Sequence, residues 1–114
     1  MTLLLPDMDK LLDECRFTAT RSSGKGGQNV NKVSTKVILL FNVLESNGLD
    51  QIQKDIFILK LSSRISKLGI FGISSGVERT QFANRKRVVE KFIRMLERAF
   101  ETEEERIATS HTAG

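Results

Sequence analysis

The alternation of apolar and polar residues predicts three short strands. Residues 15–20 alternate with a period of two, the spacing of a strand with one buried face. Residues 35–44 form a longer β-branched and aliphatic run in which Ile38 and Leu40 make the second face partly apolar, so we expect this strand to be central. Residues 70–74 form a third, shorter apolar run that ends in Ser-Ser-Gly.

Helical spacing predicts two amphipathic helices. One extends from Asp50 to about Lys67, with a stripe formed by Ile52, Ile56, Leu59 and Ser63. A longer helix is expected from about Gln81 to Arg106, with a stripe of Phe82, Val89, Phe92, Leu96 and Phe100. The order β-β-α-β-α predicts an α+β two-layer sandwich, in which two helices pack on one face of a small, mixed three-stranded sheet.

The charge is unevenly distributed along the chain. The protein has 114 residues, enough for one small domain, and a net charge of +4. Residues 15–100 hold 16 basic and 6 acidic side chains, or +10, whereas both ends of the chain are acidic. A body this basic is typical of a protein that binds a polyanion, most simply a nucleic acid. Composition by itself is equally consistent with a solvated basic surface that has no partner.

Several classes of chemistry lack the residues they need. Cys15 is the one cysteine and His111 the one histidine, so we expect no metal site, no cofactor and no histidine-activated nucleophile. Cys15 itself is expected to be a small apolar residue within the first strand. No apolar run approaches the roughly 20 residues of a membrane span, and the amino terminus lacks a signal-peptide pattern. We therefore expect a cytoplasmic protein that does not contact a membrane.

A glycine-rich loop between the first two strands carries the unusual chemistry. Besides Gly24, the segment 21–37 contains Gly26, Gly27 and Gln28, flanked by the cations Arg21, Lys25 and Lys32. A phosphate-binding loop of the nucleotide-hydrolase type needs Gly-Lys-Ser/Thr at a helix start, and a dinucleotide fingerprint needs a different glycine spacing, so both are excluded. A plain connection between two strands requires fewer glycines and cations than this segment has.

Adjacent glycines let the backbone adopt torsions closed to other residues and approach a ligand closely. Gln28 then places a backbone N–H and a neutral amide at the tip of the loop, and the nearby cations suit phosphates. Because no His, Asp or Glu lies between Arg16 and Phe41, the tip has no general base. It can donate a hydrogen bond to a developing negative charge in a site that another molecule completes.

Two stretches resemble a known family. Residues 21–37, including Asn31, Thr35 and Val37, resemble the Gly-Gly-Gln signature of class I peptide-chain release factors. Residues 78–85 resemble the turn that opens the last helix in stand-alone members of that family, with Thr80 where serine is more usual; they also fit an ordinary capped helix start. Domains that read stop codons have no counterpart, so the chain resembles the ribosome-rescue branch, the peptidyl-tRNA hydrolases of the alternative ribosome-rescue factor B type.

This resemblance implies codon-independent hydrolysis of peptidyl-tRNA in the peptidyl-transferase centre of stalled ribosomes. Gly26, Gly27 and Gln28 are then the catalytic tip, and the RNA contacts come from Arg21, Lys25, Asn31, Lys32, Arg79 and Arg85. For Arg79 and Arg85, a plain solvated face fits about as well. The partners implied are ribosomal RNA and the P-site peptidyl-tRNA, which supply the proton acceptor, and the protein is a monomer away from the ribosome. The alternative is a ribosome- or RNA-binding quality-control module that hydrolyses nothing.

The resemblance covers about residues 14–109. We therefore expect an amino-terminal extension over 1–13, the hydrolase domain over 14–106, and the start of a flexible carboxyl-terminal tail over 107–114. Stand-alone family members continue into a strongly basic tail, whereas residues 101–114 carry a net charge of −3. On this ground we expect the 114 residues to be a truncated form of a longer protein.

Overall fold

The computed structural model describes residues 5–21 and 35–101 of the protein. Within these ranges the chain forms, in order, helix α1 (Met8–Glu14), strand β1 (Arg16–Arg21), strand β2 (Thr35–Asn42), helix α2 (Gln51–Leu61), strand β3 (Ile70–Ser75) and helix α3 (Gln81–Ala99). A short 3₁₀ turn, Ser62–Arg64, follows α2. The segments 22–34 and 102–114 lie outside the described residues.

The three strands form one sheet in the order β1-β2-β3, and β2 is central as predicted. Both neighbouring pairs are antiparallel. The α+β class and the predicted order of strands and helices are confirmed, but the sheet is antiparallel throughout rather than mixed. The reason lies in the connection through α2. The chain leaves β2 at Asn42 and enters β3 at Ile70, which pairs with Asn42, so β3 begins at the same end of the sheet where β2 ends and runs antiparallel to it.

Four phenylalanine rings join the sheet to the helices. The ring of Phe41 in β2 stacks on Phe57 of α2 with centroids 5.5 Å apart, and it meets Phe92 of α3 edge-on at 5.8 Å. Phe71 in β3 contacts the same two helical rings, at 5.2 Å from Phe57 and 5.8 Å from Phe92. All four side chains are buried. Aromatic pairs at these distances add to the stability that their burial provides, so this closed ring of contacts fixes both helices on one face of the sheet.

The buried faces of the helices differ from the predicted stripes. In α2, Phe57 is the buried residue, whereas Ile52 and Leu59 are 60% and 73% exposed. Because α2 carries apolar residues on more than one face, periodicity does not select the face that meets the sheet. In α3 the buried stripe consists of Asn84, Val88, Phe92, Leu96 and Ala99. Phe82, predicted as part of the core, is 78% exposed.

An additional helix, α1, precedes the sheet and was not predicted. The Asp7 side chain caps it by accepting a hydrogen bond from the Asp9 backbone N–H at 3.0 Å. Leu11 is fully buried and belongs to the main core. The Glu14 carboxylate accepts a 2.8 Å hydrogen bond from the Asn47 N–H, which ties α1 to the turn after β2. Cys15 lies between α1 and β1 rather than within the strand.

Candidate nucleic-acid interface

The glycine-rich segment leaves the sheet from two paired strand ends. β1 ends at Arg21 and β2 begins at Thr35, and these residues lie directly opposite each other in the antiparallel register. Six of the predicted site residues lie outside the described part of the chain: Lys25, Gly26, Gly27, Gln28, Asn31 and Lys32. The structure therefore describes the base of the loop, and the roles assigned to its tip stay predictions.

A fully buried asparagine connects this base to the start of α3. The Asn84 side-chain nitrogen donates to the backbone carbonyls of Thr35 and Glu78, the latter at 3.1 Å. Its side-chain oxygen accepts from the Glu78 N–H at 2.9 Å and from the Ser75 hydroxyl at 3.2 Å. All four hydrogen-bonding positions of the amide are thereby occupied. Asn84 thus holds the first residue of β2, the last residue of β3 and the turn before α3 at one end of the domain.

The start of α3 is cationic and exposed. Thr80 caps the helix, since its hydroxyl accepts from the Ala83 N–H at 3.0 Å, and no acidic residue lies in the first turn. Arg79 and Arg85, predicted as RNA contacts, are both exposed. The Arg85 guanidinium lies over the Phe17 ring of β1, 4.1 Å from its centroid, so a cation–π contact fixes its direction. The start of α3 lies at the same end of the domain as the loop base, because Asn84 joins it to Thr35. From there the Arg85 guanidinium reaches over Phe17, four residues before the end of β1.

A cleft with a volume of about 420 Å³ lies between the end of β3 and α3. The helix lines it with three cations at helical spacing, Arg87, Lys91 and Arg94, and with one carboxylate, Glu90. Arg87 donates two hydrogen bonds to the Glu78 carboxylate, at 2.9 and 2.6 Å, and the Lys91 ammonium lies 3.4 Å from the Ser74 carbonyl. Cations held beside a strand end in this way suit contacts to a phosphate backbone.

The described residues hold little material for other chemistry. No group of three His, Cys, Asp or Glu side chains in the ranges 5–21 and 35–101 could hold a metal ion. Burial, assisted by the neighbouring Glu14 carboxylate, raises the pKa of the Cys15 thiol to about 12. That thiol stays protonated at neutral pH and donates to the Leu11 carbonyl at 3.3 Å, so it is not an activated nucleophile. Within the same ranges, no helix has both the length and the apolar character that crossing a membrane demands.

Comparison with known proteins identifies the family. Residues 8–113 match the model of the RF-1 domain, which is nearly the whole chain. This chain belongs to the RF-1 domain family. It is similar to peptidyl-tRNA hydrolase ArfB of Pseudomonas putida, with 36% identity over 101 residues that cover 89% of this chain and 73% of that protein. It is also similar to the mouse large ribosomal subunit protein mL62, with 31% identity over 94 residues that cover 82% of this chain and 46% of that protein.

Membership of the RF-1 domain family confirms the resemblance found on residues 21–37 and 78–85. The match begins at Met8, so it includes α1, which contributes Leu11 to the core. Two residues of the second stretch have positions that the sequence did not reveal. Asn84 belongs to the motif of residues 78–85, and a polar residue on the same helix side as Val88 and Phe92 is the sequence signal of its buried role. Phe82 is aromatic and lies near the apolar stripe, so periodicity predicts it in the core, whereas the structure exposes it.

Proposed function

We propose that this protein hydrolyses the ester bond of peptidyl-tRNA and so releases nascent chains from stalled ribosomes without reading a codon. The observation that carries the proposal is the 36% identity over 101 residues to a peptidyl-tRNA hydrolase. In this proposal the tripeptide Gly26-Gly27-Gln28, in the segment between β1 and β2, lies at the reacting ester, as the family resemblance implies. The basic face of α3 supports a partner rich in RNA.

In this proposal the tip of the loop stabilises charge rather than moving protons. The backbone N–H of Gln28 donates to the oxygen that becomes negative as water attacks the ester carbonyl, and the side-chain amide shapes a space that admits water. Gly26 and Gly27 permit the backbone to approach the ester without side chains in the way. A preorganised donor of this kind typically contributes about 10²–10³ in rate. The proton acceptor comes from RNA, since residues 17–40 contain no His, Asp or Glu.

The remaining predicted residues bind RNA. Arg21, Lys25, Asn31 and Lys32 contact RNA around the tip, and Arg79 and Arg85 do so at the start of α3. Support comes from the exposure of Arg79 and Arg85 and from the Asn84 hydrogen bonds that join this helix start to the loop base. The partners are the RNA of the peptidyl-transferase centre and the P-site peptidyl-tRNA. The protein acts in the cytoplasm, and it is a monomer away from the ribosome.

Peptide release from ribosomes that carry peptidyl-tRNA on a truncated messenger tests the proposal. The wild-type protein releases peptide, and Gln28→Ala slows release about 10²–10³-fold at saturating protein while binding changes little. Gln51→Ala is the matched control, because it removes an exposed side-chain amide from α2. In the structure this amide donates a hydrogen bond to the Asp55 carboxylate. Equal release by the wild type and Gln28→Ala contradicts the catalytic role of the tip. Ribosome binding without any release by the wild type instead supports a non-hydrolytic quality-control module.

A further inference from the structure

Phe82 stands apart from the other phenylalanines of the chain. Phe41, Phe57, Phe71, Phe92 and Phe100 are buried, and the ring of Phe17 is covered by the Arg85 guanidinium. Phe82, the second residue of α3, is 78% exposed. A phenyl ring left in water forgoes the free energy that burial provides, so the fold gives no reason for an aromatic residue at this position.

The surroundings of Phe82 are cationic. Arg79 precedes the helix cap, and Arg85 and Lys86 lie three and four residues after Phe82, the spacings at which helical side chains are neighbours. In the described part of the chain no carboxylate pairs with any of these three cations. The adjacent Glu78 carboxylate is engaged by Arg87 at 2.6 Å. The amino-terminal end of α3 adds the positive end of the helix dipole.

An exposed aromatic face beside cations that pair with no carboxylate in the ranges 5–21 and 35–101 fits a nucleotide. Bases unpaired in folded RNA stack on aromatic side chains, while neighbouring lysines and arginines contact the phosphates. We propose that Phe82 stacks on an unpaired base of ribosomal RNA, with Arg79 and Lys86 contacting the phosphates beside it. This inference rests on the proposed function, since it takes the ribosome as the partner. Ile52 and Leu59 are also exposed but have no aromatic face.

The first test measures the affinity of the protein for vacant ribosomes, which lack tRNA. Stacking on one base is worth about 5- to 150-fold in affinity, so Phe82→Ala raises Kd by that factor. Phe82→Trp keeps the wild-type affinity because it retains an aromatic face, whereas Phe82→Leu, which keeps only apolar area, stays weak. Leu59→Ala is the matched control, since it truncates a side chain that is 73% exposed on α2 and leaves Kd unchanged. Because Phe82 is exposed, its replacement should not unfold the protein, so a loss of affinity reports the lost contact. Melting curves of each variant verify that it is folded.

The salt dependence of binding separates stacking from charge. Phe82→Ala lowers affinity by the same factor at every salt concentration, because stacking releases no counterions. Arg79→Ala reduces the slope of log K against log salt concentration by about 1 in magnitude, as expected for one lost phosphate contact. Chemical probing of the ribosomal RNA should reveal a base that the wild type protects and Phe82→Ala leaves reactive.

Four results would overturn the inference. The first two are that Phe82→Ala binds vacant ribosomes as tightly as the wild type, or that Phe82→Leu does so, which indicates an apolar contact with a ribosomal protein. The third is that Phe82→Ala weakens binding only when P-site tRNA is present. The fourth is that no ribosomal base depends on Phe82 for its protection. Each leaves the proposed function intact if the wild type still releases peptide. Failure of the wild type to release peptide contradicts the proposed function instead, whatever Phe82 does in the binding assay.

Discussion

Removing the Asn84 side chain should strongly destabilise the domain. Asn84 is fully buried, and its amide makes four hydrogen bonds that involve Thr35, Ser75 and Glu78. In Asn84→Ala the Glu78 N–H and the Thr35 carbonyl lose their side-chain partner. Because both hydrogen bonds are part-buried, each group left unpaired should cost about 1–2 kcal/mol, the lower part of the range for buried polar groups, and the Ser75 hydroxyl can rotate to another acceptor. We therefore expect the free energy of unfolding to fall by about 2–4 kcal/mol, a large share of the 5–15 kcal/mol typical of a domain.

Thermal and urea denaturation followed by circular dichroism measures this loss. For a domain of this size, about 3 kcal/mol corresponds to a fall in Tm of roughly 12–24 °C. Ser75→Ala removes one of the four hydrogen bonds and should cost about 1 kcal/mol. Gln81→Ala is the matched control, because it removes an exposed amide three residues away and should change stability by less than about 0.5 kcal/mol. If Asn84→Ala melts within about 3 °C of Gln81→Ala, the buried amide is not what joins the helix start to the loop base.

Further predictions concern a thiol, a helix cap and a turn. The pKa of the Cys15 thiol is raised from an ordinary 9.0 to about 12, so at pH 8 the folded protein holds about 10³-fold less thiolate than the unfolded chain. Alkylation by iodoacetamide should therefore be slow in the folded protein and faster in urea. Rapid labelling of the folded protein would refute this. The contribution of this thiol to stability is complete below pH 9 and is lost as the pH rises toward 12, because only the unfolded thiol then ionises. Thr80→Ala removes the acceptor for the Ala83 N–H and should lower stability by about 1 kcal/mol, with Thr80→Ser nearly neutral in the same denaturation assay. Gly69 has a φ of +86°, and a β-carbon there would lie 2.6 Å from Cδ1 of Leu44. Gly69→Ala should therefore lower the free energy of unfolding by about 1–2 kcal/mol. An unchanged urea midpoint would contradict this prediction.

Local sequence patterns determined the three strands, two of the three α-helices in the described residues, and the family of this protein. Alternating and apolar runs located the three strands to within two residues, and the capped helix start expected within residues 78–85 is confirmed, with Thr80 as the cap. These signals are reliable because they depend on residues at most four positions apart, such as Thr80 and Ala83 at the start of α3. The stretches 21–37 and 78–85 likewise sufficed to indicate the release-factor family, which the match over residues 8–113 confirms.

Tertiary structure alone decided which faces are buried and which distant residues meet. Asn84 contacts the carbonyl of Thr35, 49 positions earlier in the chain, and no local pattern encodes that pairing. The sense of each strand pair, the burial of Phe57 and the exposure of Phe82 depend in the same way on how α2 and α3 pack over the sheet. A helix with apolar residues on several sides can bury any of them, and packing against the Phe41 and Phe71 rings selects one.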